Sequence, residues 1–261
     1  MMRAKISRLA GPAILSGAAL AVMAAATGAQ AAPVLTAKKN IVIVPGAFID
    51  GSTWHVVHDI LYNKGYNVTV VPATHVSLDD DVALTRRALF QQVGKTVLVG
   101  NGIGGAVISH AGDGGKVAAL VYVAALVPEV GENPLQLMRA LPAAASSIKP
   151  DWAGTYWADR ARWREDFGAD LSPNRANFLG ASQTPVTQLF MGTAAHAAVW
   201  HHKPNYAVVA TADRVLNPDT QRMMYSRAHA KVTEIAGSHA VHVSRPEEVA
   251  RVIEQAAIDN L

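Results

Sequence analysis

Thr96-Val97-Leu98-Val99-Gly100-Asn101-Gly102-Ile103-Gly104-Gly105 is the stretch that decides the fold. An apolar, β-prone run enters a glycine-rich turn, and a helix over residues 103–111 is predicted beyond it. That is the setting of a nucleophile elbow, G-x-S-x-G, in which a serine is held on a sharp strand-to-helix turn. The outer glycines, Gly100 and Gly104, are in place. The middle position, Gly102, carries no side chain.

Working outward, strands and helices alternate. Residues 40–45, 67–71, 96–100, 117–125, 206–211 and 231–235 read as strands. The run at 117–125 is apolar throughout, which predicts a strand buried on both faces. Residues 53–64 show a helical apolar face in Trp54, Val57, Ile60 and Leu61. Ser77-Leu78-Asp79-Asp80 resembles a capping box and opens a helix to Gln92. Ser244-Arg245-Pro246-Glu247 is read as the cap of the closing helix. Strands separated by helices predict an α/β fold, a mostly parallel sheet with helices on both faces. Residues 127–199 break the pattern with Pro128, Pro142, Pro150 and Pro173 and an aromatic cluster of Trp152, Tyr156, Trp157, Trp163 and Phe167. They are expected to form a helical cap inserted into a single domain over 32–261. The alternative is a set of surface helices whose aromatics fill the sheet-to-helix core.

Half of the 261 residues are hydrophobic, enough for one sizeable core. Residues 1–31 read as a cleaved signal peptide: Arg3, Lys5 and Arg8 form a basic start, 9–26 are apolar and mostly small, and Ala29-Gln30-Ala31 is an A-x-A cleavage site. An uncleaved membrane anchor is the competing reading, opposed by that site and by the Ala/Gly content. The expected location is periplasmic or secreted, with no stable membrane association after cleavage. The full chain carries +3, and the leader holds three basic residues and no acid, so the mature chain is neutral. Its charge gives no support to nucleic-acid binding. With no cysteine there is no disulfide, thiolate metal site or cysteine nucleophile.

The mature chain resembles the α/β-hydrolase superfamily, in particular small bacterial esterase-like members related to the methylesterase and hydroxynitrile-lyase branch. Members carry H-G-x-F after the first strand, where this chain has Pro45-Gly46-Ala47-Phe48. They carry G-H-S-x-G-G at the elbow, where it has Gly100-Asn101-Gly102-Ile103-Gly104-Gly105. An acid after a late strand matches Asp213, and a histidine after the last strand matches His239; the order elbow, acid, histidine is that of the fold. The resemblance implies His239 as base, Asp213 as its orienter, the amides of Ala47 and Ile103 as an oxyanion hole, and Gly102 as a vacant nucleophile position. Phe48, Asn101, Trp152 and Trp157 are expected to line the substrate pocket. Glycine at an elbow that demands positive φ relieves a strain of about 1–3 kcal/mol.

Other candidates are weaker. Ser109 lies about 10 Å along the elbow helix and reads as a packing residue. Ser238 should point away from the His239 ring. Thr74 and His75 read as surface loop, and His242 as a helix-surface histidine. Adjacent His201 and His202 lack the spacing of a metal pair, and G-x-G-x-G-G is not a dinucleotide fingerprint. No cofactor and no metal are expected. The expected partner is a small apolar molecule. Two functions stay open. One is a divergent hydrolase-like enzyme in which the His239–Asp213 dyad acts on an ester, lactone or carbonyl compound, weakly on ordinary esters, or works as a lyase or isomerase by proton abstraction. The other is an inactive relative that binds an apolar ligand.

Overall fold

The computed structural model describes residues 39–144 and 147–261, all within one compact unit, Thr36–Leu261. The leader expected over residues 1–31 lies outside the described residues.

In chain order the elements are β1 (Asn40–Val44), α1 (His55–Asn63), β2 (Asn67–Val70), α2 (Leu78–Phe90), β3 (Thr96–Asn101), α3 (Gly104–Ala111) and β4 (Val117–Val123). There follow α4 (Pro134–Arg139), β5 (Ile148–Pro150), β6 (Thr155–Ala158), α5 (Trp163–Phe167), α6 (Pro173–Ala181), β7 (Val186–Thr187) and α7 (Gln188–Gly192). The chain closes with β8 (Asn205–Ala210), α8 (Pro218–Arg227), β9 (Lys231–Ile235), α9 (Val241–Ser244) and α10 (Pro246–Asn260).

Six strands form one sheet in the order β2-β1-β3-β4-β8-β9, parallel at every pairing. Side chains alternate across it. Ile41, Ile43, Val97 and Val99 pack with Trp54, Val57 and Leu61 near α1 and with Val249 and Ile253 of α10. Val42, Val44 and Leu98 face the other way, onto Val82 of α2, Val107 of α3 and Tyr225 of α8. The sheet is therefore covered on both faces, which a parallel sheet requires. After β1 the chain runs to the edge at β2 and returns on the other side of β1 as β3. The carboxyl ends of β1 and β3 flank this reversal, the place where open α/β sheets build sites.

Helix α2 starts where the sequence places it: the Ser77 side chain accepts from the Asp80 amide. Helix α10 does not. Its first turn holds Pro246, but its cap residue is Arg245, with no side-chain capping bond, so Ser244 does not cap it.

The inserted region is mixed rather than helical. Strands β5, β6 and β7 pair antiparallel into a second, three-stranded sheet among the short helices. Of the expected aromatic cluster, Trp163 and Phe167 are fully buried, whereas Trp152 is 98% exposed.

Glycines hold the elbow through close approach. A Cβ on Gly105 would lie 2.1 Å from the Leu126 carbonyl oxygen, and one on Gly104 2.5 Å from that of Val44. Both neighbours are backbone, so neither can rotate aside. Gly105→Ala is expected to lose at least about 3 kcal/mol in chemical denaturation, the upper range for overpacking.

Candidate active site

Four loops at the carboxyl ends of the strands meet. The loop after β1 brings Ala47 and Phe48, the turn after β3 brings Gly102 and Ile103, and the loops after β8 and β9 bring Asp213 and His239. Gly102 has φ +52°, the left-handed conformation that suits glycine. A Cβ built there would stand 3.2 Å from His239 Nε2. The Gly102 carbonyl accepts from the Leu126 amide at 2.9 Å, which ties the turn to the end of β4.

His239 Nδ1 lies 2.7 Å from Asp213 Oδ2, and both side chains are buried. Asp213 is saturated with donors. Its Oδ1 accepts from the amides of Val215 and Leu216, and its Oδ2 also accepts from Gln221 Nε2. A carboxylate so held takes the Nδ1 proton of the imidazole as a hydrogen bond, which leaves Nε2 as the basic nitrogen over Gly102. Phe167 of α5 packs edge-on against the His239 ring at 5.8 Å. The next amide, Ala240, donates to the Phe167 carbonyl at 2.9 Å. Asp170 accepts from both the amide and the hydroxyl of Ser238. The inserted region thus fixes the base from outside.

Among the described residues, neither the Ala47 nor the Ile103 amide donates to a protein acceptor. Both border the same small cavity, partly open to solvent, with Phe48, Gly102, Leu126, Met138, Val215, Leu216 and His239 also on its walls. Among the described residues its lining carries no hydroxyl and no thiol. Among the described residues His239 is the single ionisable side chain in it.

The remaining sequence candidates fall elsewhere. Asn101 is fully buried beneath the turn, its amide donating to the Val123 carbonyl, and is not part of the cavity wall. Trp152 is in solvent, and Trp157 turns its indole N–H to Asp151 at the surface. Neither reaches the cavity: Trp157 sits on β6 of the small antiparallel sheet and Trp152 in the turn between β5 and β6. Ser109 is held between the Gly105 carbonyl and the Tyr122 hydroxyl. His201 stacks on Trp200 and meets Glu129. No group of three possible metal ligands occurs among the described residues.

Two histidines differ from expectation. His75 is not a surface residue: it is 1% exposed and bonded to Asp81. Burial pushes the Asp81 carboxyl up, but the His75 ring and the amides of Thr74 and His75 outweigh it, and the net shift is downward. His242 is fully buried, stacked on Trp54 at 4.4 Å, with Nε2 3.1 Å from Thr53 Oγ1. Burial, with His239 and Arg175 adding to it, pushes this ring down to about 3, so it stays neutral. An unfolded histidine titrates near 6.5, above the folded value. The stability His242 lends is complete above about pH 6.5 and is lost as pH falls toward 3, by up to about 1 kcal/mol per pH unit. Melting temperatures taken at pH 7 and 4.5 should fall further in the parent than in His242→Phe, which keeps the stack and removes the titration.

Gln221, Asp170 and the His75–Asp81 pair were not singled out for a role by the sequence. The one available signal was the acid six residues after His75, at the start of a helix.

A family model described as "Alpha/beta hydrolase family" matches residues 41–252. No curated protein sequence matches the chain. A pyrethroid hydrolase from Sphingobium faniae JZ-2 is 25% identical with a TM-score of 0.71, covering 84% of this chain and 97% of its own. A methylesterase from Arabidopsis is 14% identical with a TM-score of 0.72, covering 84% and 99%. An extracellular alpha/beta-hydrolase from a Paenibacillus species is 17% identical with a TM-score of 0.68, covering 83% and 98%. At the last two identities the likeness concerns the fold alone.

Proposed function

Because this chain belongs to the alpha/beta hydrolase family, we propose that it is an exported hydrolase-like enzyme working without a serine nucleophile. In this proposal the base is His239, oriented by Asp213, and the substrate is a small apolar ester, lactone or related carbonyl compound. One observation carries it: His239 Nε2 looks onto the space above Gly102, beside two backbone donors that have no protein acceptor among the described residues. A water there would give its proton to Nε2 while its oxygen bonds the carbonyl carbon. The negative charge that develops on the carbonyl oxygen would be held by the Ala47 and Ile103 amides. As the carbonyl re-forms, the acyl–oxygen bond breaks and His239 returns its proton to the leaving alkoxide, giving an acid and an alcohol. The apolar lining and the likeness to a pyrethroid hydrolase support an apolar substrate.

The test is a panel of small esters, lactones and cyanohydrins with mass spectrometry of the protein during turnover. Slow turnover, lost in His239→Ala and free of any covalent adduct, is the expected result. An acyl group trapped on the unmodified protein, or activity that survives His239→Ala, would sink the mechanism. The same apolar lining, without a hydroxyl among the described residues, favours a second reading, a non-catalytic binder, in which an apolar dye is bound and nothing is turned over. Export is tested separately: the protein recovered from the periplasm or medium should begin at Ala32.

A further inference from the structure

We propose that His75 is a positioning residue for the oxyanion donor at Ala47, acting through the peptide group that joins Gly46 to Ala47; this rests on the function proposed above. His75 Nδ1 lies 3.0 Å from Asp81 Oδ2, and its Nε2 lies 3.1 Å from the Gly46 carbonyl oxygen. Both partners are acceptors. The Asp81 oxygens also receive the amides of Thr74 and His75 and the Thr74 hydroxyl, as an ionised carboxylate does. A ring that satisfies both neighbours carries a proton on each nitrogen.

The choice of acceptor gives the contact its meaning. The Gly46 carbonyl and the Ala47 N–H are the two ends of one peptide unit. Resonance in that unit draws electron density from nitrogen to oxygen. A charge-assisted bond to the oxygen deepens the polarisation and leaves the N–H more positive. His75 therefore does two things to a donor it never touches: it fixes the plane of the peptide and strengthens the N–H.

The surroundings keep that peptide from turning. A Cβ on Gly46 would lie 2.9 Å from the Asn101 carbonyl oxygen, so the loop rests directly on the elbow. The Phe48 amide donates to Thr184, and the Phe48 carbonyl accepts from the Trp163 indole. Phe48 itself holds φ +64°, a strained backbone for a non-glycine residue. Gly46 O, Phe48 N–H and Phe48 O all have partners, while the Ala47 N–H between them has none among the described residues. The His75 carbonyl in turn accepts from the Thr187 amide, and its ring packs edge-on against Phe190, which ties this support to the inserted region.

The experiment is calorimetry with two probes that share one alkyl chain, an anionic, tetrahedral alkylphosphonate monoester and the neutral, planar N-methyl amide. It is run in the His239→Ala background, so the result depends neither on the base nor on turnover. The expected result is a preference for the phosphonate that falls by about tenfold in His75→Gln. Thr187→Val, which removes the side-chain bond to the Val76 carbonyl of the same loop and the α7 cap on the Phe190 amide but keeps the backbone bond to the His75 carbonyl, should leave the ratio in place. If His75→Gln does not fold, the pair His75→Gln with Asp81→Asn removes the buried charges together and should show the same fall. An unchanged ratio in the folded variant overturns the positioning role and leaves the base mechanism standing. No phosphonate preference with His75 intact overturns the donor itself. Loss of the mechanism alone would appear only in the turnover panel.

Discussion

Gly102→Ser raises the turnover of a small activated ester by on the order of 10³-fold or more, and an acyl adduct forms on the new hydroxyl. The size follows from what a complete triad adds, since removing a serine nucleophile from such a unit costs up to about 10⁶-fold. The geometry is prepared: Asp213 already orients His239, and the Cβ position is 3.2 Å from Nε2. That distance is slightly tight, so the ring must yield by a few tenths of an ångström. The φ of +52° adds strain for a residue with a side chain, and the variant should lose about 1–3 kcal/mol of stability. Stopped-flow assays and urea denaturation read the two effects. A folded variant that stays as slow as the parent would show that the cradle no longer supports acyl transfer.

The second large effect is at Asp213. Asp213→Asn should reduce any parental turnover by on the order of 10²–10⁴-fold, because an amide at that position no longer selects the tautomer with a free Nε2. Asp213→Ala should also cost at least about 3 kcal/mol, since it leaves buried donors at Val215, Leu216, Gln221 and His239 without their acceptor. Steady-state rates and melting curves of the two variants separate these contributions. Asn retains a carbonyl for some of the donors and should melt closer to the parent. Equal rates in the parent and Asp213→Asn would remove the dyad from the mechanism.

The alternation of β and α segments was legible because β1, β3, β4 and β8 are largely apolar runs and the shorter β2 and β9 are rich in β-branched residues between helical periods. The elbow, Asp213 and His239 were legible because each directly follows a strand. The small sheet was not: β5, β6 and β7 are three, four and two residues long, too short for a period to show. Trp152 and Trp157 were misplaced because an indole's apolar surface says nothing about which way it faces, and Trp157 spends its N–H on an exposed aspartate. His75 was misread because its partner, the Gly46 carbonyl, is 29 residues away, and contact at that range leaves no mark on local composition. His242 sits in a four-residue helix, α9, which offers no second turn from which to infer an inward face.

The inserted region touches the chemistry through Thr184 on the donor loop, Phe167 and Asp170 on the base loop, and Thr187 on the loop of His75. A chimera that grafts another relative's insertion onto this sheet to change its selectivity would cut all of these ties at once. Such swaps should yield inert proteins unless those four anchors travel with the graft, so in this scaffold selectivity and competence are inherited together.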